Sequence, residues 1–341
     1  MNNDMQPMDV EHASAVPTSA STTINGATDP SVSYCTVGSD SNDTLTTIHA
    51  MRRQEDSGYI IPDYFSMPRT LPITGQPADV ECRAAMATWT VQIVDHCNFK
   101  RETAAISMSF LDRFLSSPDG QQNVITDRSQ FQLAAMACLY TAVKIHEKEA
   151  VTPDLIAQLS NGAHGKEDVE AMERRILNGL QWRVNPPTAS AFVYLYARLL
   201  SNVIQDPGFQ TTAIDLAHFQ VELAVCDYTM VTKRSSSVAL CALLNAAESL
   251  LDNFRYAYVE AILCQAAGVQ QLIQEDPQMS FELQQLRIKL YEAIAEDESG
   301  HGSSSSYAMD PTPTPAEDYD ENMKMAGDVV DDSPRSVSQH Q

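Results

Sequence analysis

RETAAISMSFLDRFLSS, residues 101–117, carries apolar or small side chains on almost every side of a helix, yet holds Asp112 and Arg113 in its middle. Apolar positions recur at three- and four-residue spacing and no Gly or Pro interrupts them. The pattern predicts a helix over 100–116 that is buried nearly all round. A carboxylate in such a helix is costly unless it is paired. A candidate partner lies one helix earlier: Arg83, in ECRAAMATW (residues 81–89), is set among Ala84, Ala85 and Met86 on a small, apolar face.

The same helical period extends outward in both directions. No Gly occurs between Gly120 and Gly162, nor between Gly208 and Gly268. Helices are predicted near 46–56, 79–97, 100–116, 128–146, 152–160, 165–181, 188–202, 209–230, 235–251, 257–267 and 278–294. Thr152-Pro153-Asp154 reads as an N-cap followed by Pro at the first helical position. Asp127 with Gln130 three residues on resembles a capping box, and Thr188 and Ser235 look like further N-caps. LDRF at 111–114 precedes AAMACLYTAVK, and CDYT at 226–229 precedes SSVALCALLNAAE. This echo, at an offset of roughly 105–115 residues, suggests two similar helical domains. Residues 1–44 are rich in Ser, Thr, Asn and Asp without apolar period, and residues 296–341 lack a core pattern too. Both are expected to be disordered tails.

The net charge of −23 belongs mostly to the ends. Residues 1–50 hold six acids and no Lys or Arg, and residues 296–341 hold eleven acids against Lys324 and Arg335, which leaves −23 + 6 + 9 = −8 for the middle. No Lys/Arg-rich stripe is available to neutralise phosphates, which argues against direct nucleic-acid binding. Unbroken apolar runs such as VALCALL at 238–244 are far short of a membrane span, and the N-terminus lacks a basic start followed by an apolar run, so neither a membrane anchor nor a secretory signal is expected. Seven cysteines without CxxC spacing read as reduced core thiols of an intracellular protein. No metal, cofactor or catalytic residue is expected.

Four blocks, ECRAAMATW, RETAAISMSFLDRFLSS, QLAAMACLYTAVKIHE and MERRILNGLQWRVNPPT, appear in order and together resemble the cyclin box of the cyclins. IHAMRRQE (48–55) resembles the short helix that precedes the box. FQVELAVCDYTM and SSVALCALL resemble a second, degenerate cyclin fold. The resemblance covers residues 46 to about 251. It implies an all-α chain of two consecutive five-helix cyclin folds with a short preceding helix and acidic tails. The domains are expected at 1–44 (tail), 45–185 (cyclin box), 186–295 (second fold) and 296–341 (Ser/Thr/Pro tail). It also implies that Arg83 and Asp112 form a buried structural bridge.

A cyclin has no reaction of its own, and the resemblance implies a regulatory subunit of a cyclin-dependent serine/threonine kinase, working in the nucleus or cytoplasm. Lys144 and Glu173 match the family's kinase-contacting lysine and glutamate. Glu147, beside His146, is a weaker rim contact, since many cyclins carry two acids there. Read without the resemblance, these are solvated helix-face charges. Cys82, Ala85, Met86 and Trp89, at i, i+3, i+4 and i+7, match a stripe that docks substrates or inhibitors, and Gln132 matches a glutamine that holds the docked backbone. Cys82, Ala85 and Gln92 depart from the family's residues, which predicts a shallower groove; the bland alternative is helix packing with Trp89 in the core. Thr312, Thr314 and Ser333 each precede Pro in the acidic tail. They are candidate phosphorylation sites, with Glu317 and Asp318 after Thr314 resembling a phosphodegron for a ubiquitin ligase. Two rival readings remain. One is a transcription-type cyclin or a cyclin-fold scaffold without a cell-cycle role. The other is a helical enzyme built on His96/Cys97 or His146/Glu147, for which no third catalytic member is recognisable.

Overall fold

Asp112 lies buried on a helix whose other inward positions are Phe110, Leu111, Phe114 and Leu115, and the rest of the first half is arranged around it. The computed structural model of the chain describes residues 39–68, 76–149, 151–201, 203–270 and 276–300. These residues belong to one compact unit, Gly38–Gln341. Among them are eleven α-helices and no strand. In chain order they are α1 (Ser39–Asp56), α2 (Val80–His96), α3 (Arg101–Leu115), α4 (Arg128–His146), α5 (Pro153–Gln158), α6 (Lys166–Gly179), α7 (Ala189–Leu200), α8 (Pro207–Cys226), α9 (Ser235–Leu250), α10 (Asn253–Ala266) and α11 (Pro277–Gly300). A single π-helical turn, Gly120–Val124, follows α3. Gly120 is required there because a Cβ would fall 2.2 Å from the Phe114 carbonyl oxygen.

Apolar side chains gather in two large clusters. One is formed mainly by α3, α4 and α6, with Tyr64, Ala87 of α2 and Ile156 of α5. The other is formed by α7 to α11 together with Ile48 of α1. The first helix in sequence thus packs into the later half of the chain.

Several boundaries differ from the sequence expectation, each for a local reason. Residues 39–44, assigned to the tail, open α1 instead: Ser41, Thr44, Leu45 and Ile48 share one inward face, on which Ser41, Thr44 and Ile48 are buried and Leu45 packs against the core. The face begins with small polar residues, which hid it from an apolar count. Residues 296–300, also assigned to a tail, continue α11. The helix expected over 209–230 breaks after Cys226, because Asp227 turns extended and its carboxylate takes the Thr229 amide at 2.8 Å, capping a short 3-10 turn, Tyr228–Met230. The helix expected from 257 starts at Asn253, where Asp252 accepts from the amides of Phe254 and Arg255. Thr152 and Thr188 cap α5 and α7 through the amides of Leu155 and Ala191. Asp127 caps α4 through Ser129, whereas Gln130 accepts from Arg175.

Ser235 is not an N-cap. The cap position of α9 is Arg234, which has no side-chain acceptor, and Glu55 of α1 supplies one. Its buried carboxylate accepts from the Ser236 amide at 3.0 Å and the Ser236 hydroxyl at 2.6 Å, while Asp56 pairs with Arg234. The start of α3 is built the same way. Lys100 cannot cap it, and Glu147 at the end of α4 accepts from the Lys100 amide at 3.0 Å and from the Thr103 hydroxyl. In both cases a distant carboxylate meets the positive end of a helix.

Arg83 and Asp112 form a two-pronged pair, Nε to Oδ1 and Nη2 to Oδ2 at 2.8 Å each, with side chains only 3% and 5% exposed. Tyr64 donates its hydroxyl to Oδ1 at 2.8 Å. Arg83 Nη1 reaches across to the carbonyl of Val225, at 3.0 Å, at the end of α8. Burial pulls the guanidinium down, but Asp112 more than offsets this and leaves it above its ordinary value. Tyr64, Phe65 and Tyr228 pack their rings at 4.7–5.2 Å around the pair. Arg83→Ala leaves Asp112 buried without its counter-charge and should cost roughly 3–5 kcal/mol, read by urea denaturation. A variant as stable as the unmodified chain would show that the pair is not needed.

Candidate functional site

The last turn of α4, like its first, reaches the surface; twelve residues between Phe131 and Val143 are buried. Lys144 extends from this turn with its side chain half exposed, and meets Glu173 of α6, whose side chain is only 11% exposed. Nζ lies 3.1 and 3.3 Å from the two carboxylate oxygens and 5.3 Å from the centre of the Tyr140 ring. The hydrogen bond it donates to Glu173 raises the Lys144 ammonium above its ordinary value. A buried carboxylate thus holds a surface ammonium by one end, and the remaining ammonium protons face outward.

Two residues next to Lys144 are spent on structure. His146 donates Nε2 to the Val184 carbonyl at 2.9 Å, and Glu147 caps α3 as described. The His146 bond brings the α6–α7 linker alongside the end of α4, and with it Trp182, 68% exposed. Gln181 and Trp182 both take left-handed backbone, φ 53° and 59°, which costs about 1–2 kcal/mol for each bulky residue. The indole is left exposed to solvent, as is Ile145 in the last turn of α4. The sequence reading missed Trp182. A lone Trp after a helix marks nothing by itself, and neither Gln nor Trp favours positive φ.

Arg175, two residues after Glu173, fixes the register of α6 by a two-pronged pair with Asp119, Nε to Oδ2 at 3.0 Å and Nη2 to Oδ1 at 2.9 Å. The other stripe lies on α2. Ala85 is exposed, while Cys82, Met86 and Trp89 are half-buried and pack against the first cluster. Gln132 is half-buried in the first turns of α4. The starts of α2 and α4 are held together by Arg128, which donates to Asp79 at 2.6 Å and to the Pro77 carbonyl at 3.1 Å. The stripe is therefore partly core and partly rim. Thr312, Thr314 and Ser333 lie outside the described residues. Among the described residues no group of three His, Cys, Asp or Glu is placed to hold a metal ion, and no helix is long and apolar enough to cross a membrane.

Residues 47–185 match the family model described as cyclin, N-terminal domain. Rice Cyclin-B1-1 (Oryza sativa subsp. japonica) is 31% identical over 164 residues, 48% of this chain and 35% of that protein. The G2/mitotic-specific cyclin-2 of Medicago sativa is 28% identical over 215 residues, 61% of this chain and 59% of that protein. The chain thus spans between about a third and three-fifths of the curated relatives it matches. In fold, it resembles the crystal structure of a viral cyclin from herpesvirus saimiri with a TM-score of 0.54 at 16% identity, over 72% of this chain and 97% of that one.

The Asp119–Arg175 clamp has a testable pH dependence. Arg175 holds the Asp119 carboxyl below its ordinary 3.8. The pair's contribution is therefore fully present above that value and is lost as pH falls through the lowered value of the folded chain. Both side chains are about a third exposed, so the contribution is at most about 1 kcal/mol. Asp119→Asn is expected to be less stable at neutral pH and to converge with the unmodified chain below pH 3.8, measured by urea titration. A gap that persists in acid would assign Asp119 a role independent of its charge.

Proposed function

We propose that this chain, whose residues 47–185 match the cyclin N-terminal domain, binds and activates a cyclin-dependent serine/threonine kinase and has no reaction of its own. The observation that carries this reading is the Lys144–Glu173 pair at the end of α4, with exposed Ile145 next to it in sequence and exposed Trp182 in the linker that His146 bonds to the end of α4. A pre-set charge pair flanked by apolar anchors has the composition of an interface centre. Glu173 needs no reorganisation to receive a partner, because Lys144 and the packing of α6 already hold it. In the kinase, activation requires the αC helix in place so that its Lys–Glu pair and the magnesium-binding Asp align. A rigid helical body docked against that helix would hold it there, and the pinned end of α4 supplies that rigidity. Substrates or inhibitors are assigned to the α2 stripe of Cys82, Ala85, Met86 and Trp89 with Gln132, of which Ala85 is exposed.

Losing a desolvated, hydrogen-bonded charge pair from an interface costs roughly 2–5 kcal/mol, about 30-fold to several-thousand-fold in affinity. The same charges on a solvated face contribute at most about 1 kcal/mol. Lys144→Ala/Glu173→Ala should keep a near-normal melting temperature while kinase binding and kinase activation are lost together. Binding that survives within about threefold would remove the pair from the interface. Trp182→Ala alone should weaken binding by about 30-fold.

A further inference from the structure

Seven of the described arginines are in ion pairs. Arg113 and Arg183 are among the described arginines that are not, and of these they are the two that bond to each other's segments, in a chain with 45 acidic and only 22 basic residues. They lie next to each other where the end of α1, the end of α3 and the α6–α7 linker meet. Arg113 Nη1 donates to the Arg183 carbonyl at 2.8 Å, and Arg183 Nη1 donates to the Ser57 carbonyl at 2.8 Å. Each guanidinium thus uses one N–H on a neutral acceptor, and its other N–H groups meet no acceptor among the described residues.

Both forks are held in place. Arg113 stacks over the Tyr59 ring at 4.3 Å. Arg183 fills a hollow that exists only because residue 58 is glycine: a Cβ there would fall 1.8 Å from Arg183 Nη1, and Gly58 has φ +153°. The linker that presents Arg183 is strained at Gln181 and Trp182 and tied down by His146 to Val184 and by Gln54 to the Asn185 carbonyl at 2.7 Å. Burial lowers the Arg113 guanidinium from its ordinary value, and the Arg183 charge lowers it further, against Tyr59. Two like charges fixed side by side without a counter-ion are a destabilising arrangement that an anion would relieve.

We propose that Arg113 and Arg183 form a recognition site for a phosphorylated serine or threonine side chain carried on a peptide segment of a partner protein. A phosphate monoester brings close to two negative charges and three acceptor oxygens, matching two open forks, where a carboxylate brings one charge. Arginine suits the role because its planar fork is pre-organised. The peptide is favoured over a free anion because the exposed Trp182 indole leaves the chain one residue before Arg183 and offers an apolar face to flanking residues. The proposal does not rest on the kinase reading.

The full chain carries two tryptophans, so Trp89→Phe leaves Trp182 as the sole indole reporter. Ac-Ala-Val-phosphothreonine-Val-Ala-amide should change its fluorescence saturably. The threonine and glutamate versions of the peptide should bind at least about tenfold more weakly. Arg183→Gln and Gly58→Ala should each lower phosphopeptide affinity by about tenfold or more without altering the far-ultraviolet circular dichroism, the second without changing any charge. Calorimetry on the unmodified chain should return the same ranking. Equal binding of the three peptides, an Arg183→Gln variant that binds normally, or inorganic phosphate binding as tightly as the peptide (an adventitious anion only) would each overturn the proposal.

Discussion

Moving a guanidinium and a carboxylate out of water is so costly that a pair survives in a core only when almost every donor and acceptor finds a partner. Around Arg83 and Asp112 that condition recruits residues from distant parts of the chain. Tyr64 comes from the segment before α2, and the carbonyl of Val225 comes from the end of α8. Tyr228 then closes the site: it donates to Asp63 at 2.7 Å, accepts from the Phe65 amide at 3.2 Å and lays its ring beside Arg83. The pair joins α2 to α3 and both of them to the end of α8. The two apolar clusters are non-directional and would tolerate many relative placements. The satisfaction of one buried charge pair selects among them.

A second constraint acts at the helix ends. α3 and α9 are deeply buried helices that begin behind Lys100 and Arg234, side chains that cannot accept a hydrogen bond from a helix amide. Amides at a helix start need acceptors, so each start is met by a carboxylate from elsewhere, Glu147 at the exposed start of α3 and Glu55 at the buried start of α9. Burial raises the Glu55 carboxyl above its ordinary value, with the Ser236 bonds and Arg234 opposing, so this cap carries a residual desolvation cost. That cost is tolerated because the cap also fixes where α1 lies. The result is a chain whose earliest described helix is fastened to its later half.

These fastenings explain why the candidate surface is rigid. The α6–α7 linker, Gln181 to Thr188, is bonded to α1 by Gln54 and Arg183, to α3 by Arg113 and Glu102, and to α4 by His146. Left-handed backbone at Gln181 and Trp182 persists only under such over-determination. The strain is what turns Trp182 and Arg183 outward, so the apolar anchor of the proposed kinase surface and one fork of the proposed phosphate site have a common origin.

The helical class was legible in the sequence because helix period, missing glycines and cap residues act locally. Asp112 was legible as a problem for the same reason: a carboxylate amid Phe110, Leu111 and Phe114 must be neutralised wherever that helix goes. The start of α1 was not legible, since Ser41 and Thr44 count as polar until packing buries them. The caps of α3 and α9 were not legible either, because their acceptors lie 47 and 181 residues away in sequence. Trp182, Arg183 and Arg113 are unremarkable in the sequence. What sets them apart is the left-handed backbone at Trp182 and the placing of Arg113 beside Arg183, and both depend on neighbours that only the folded chain brings together. The sequence by itself determined which segments are helices and which charges must be paired if buried. Tertiary structure decided who supplies the partner, because that choice depends on distances that no local pattern encodes.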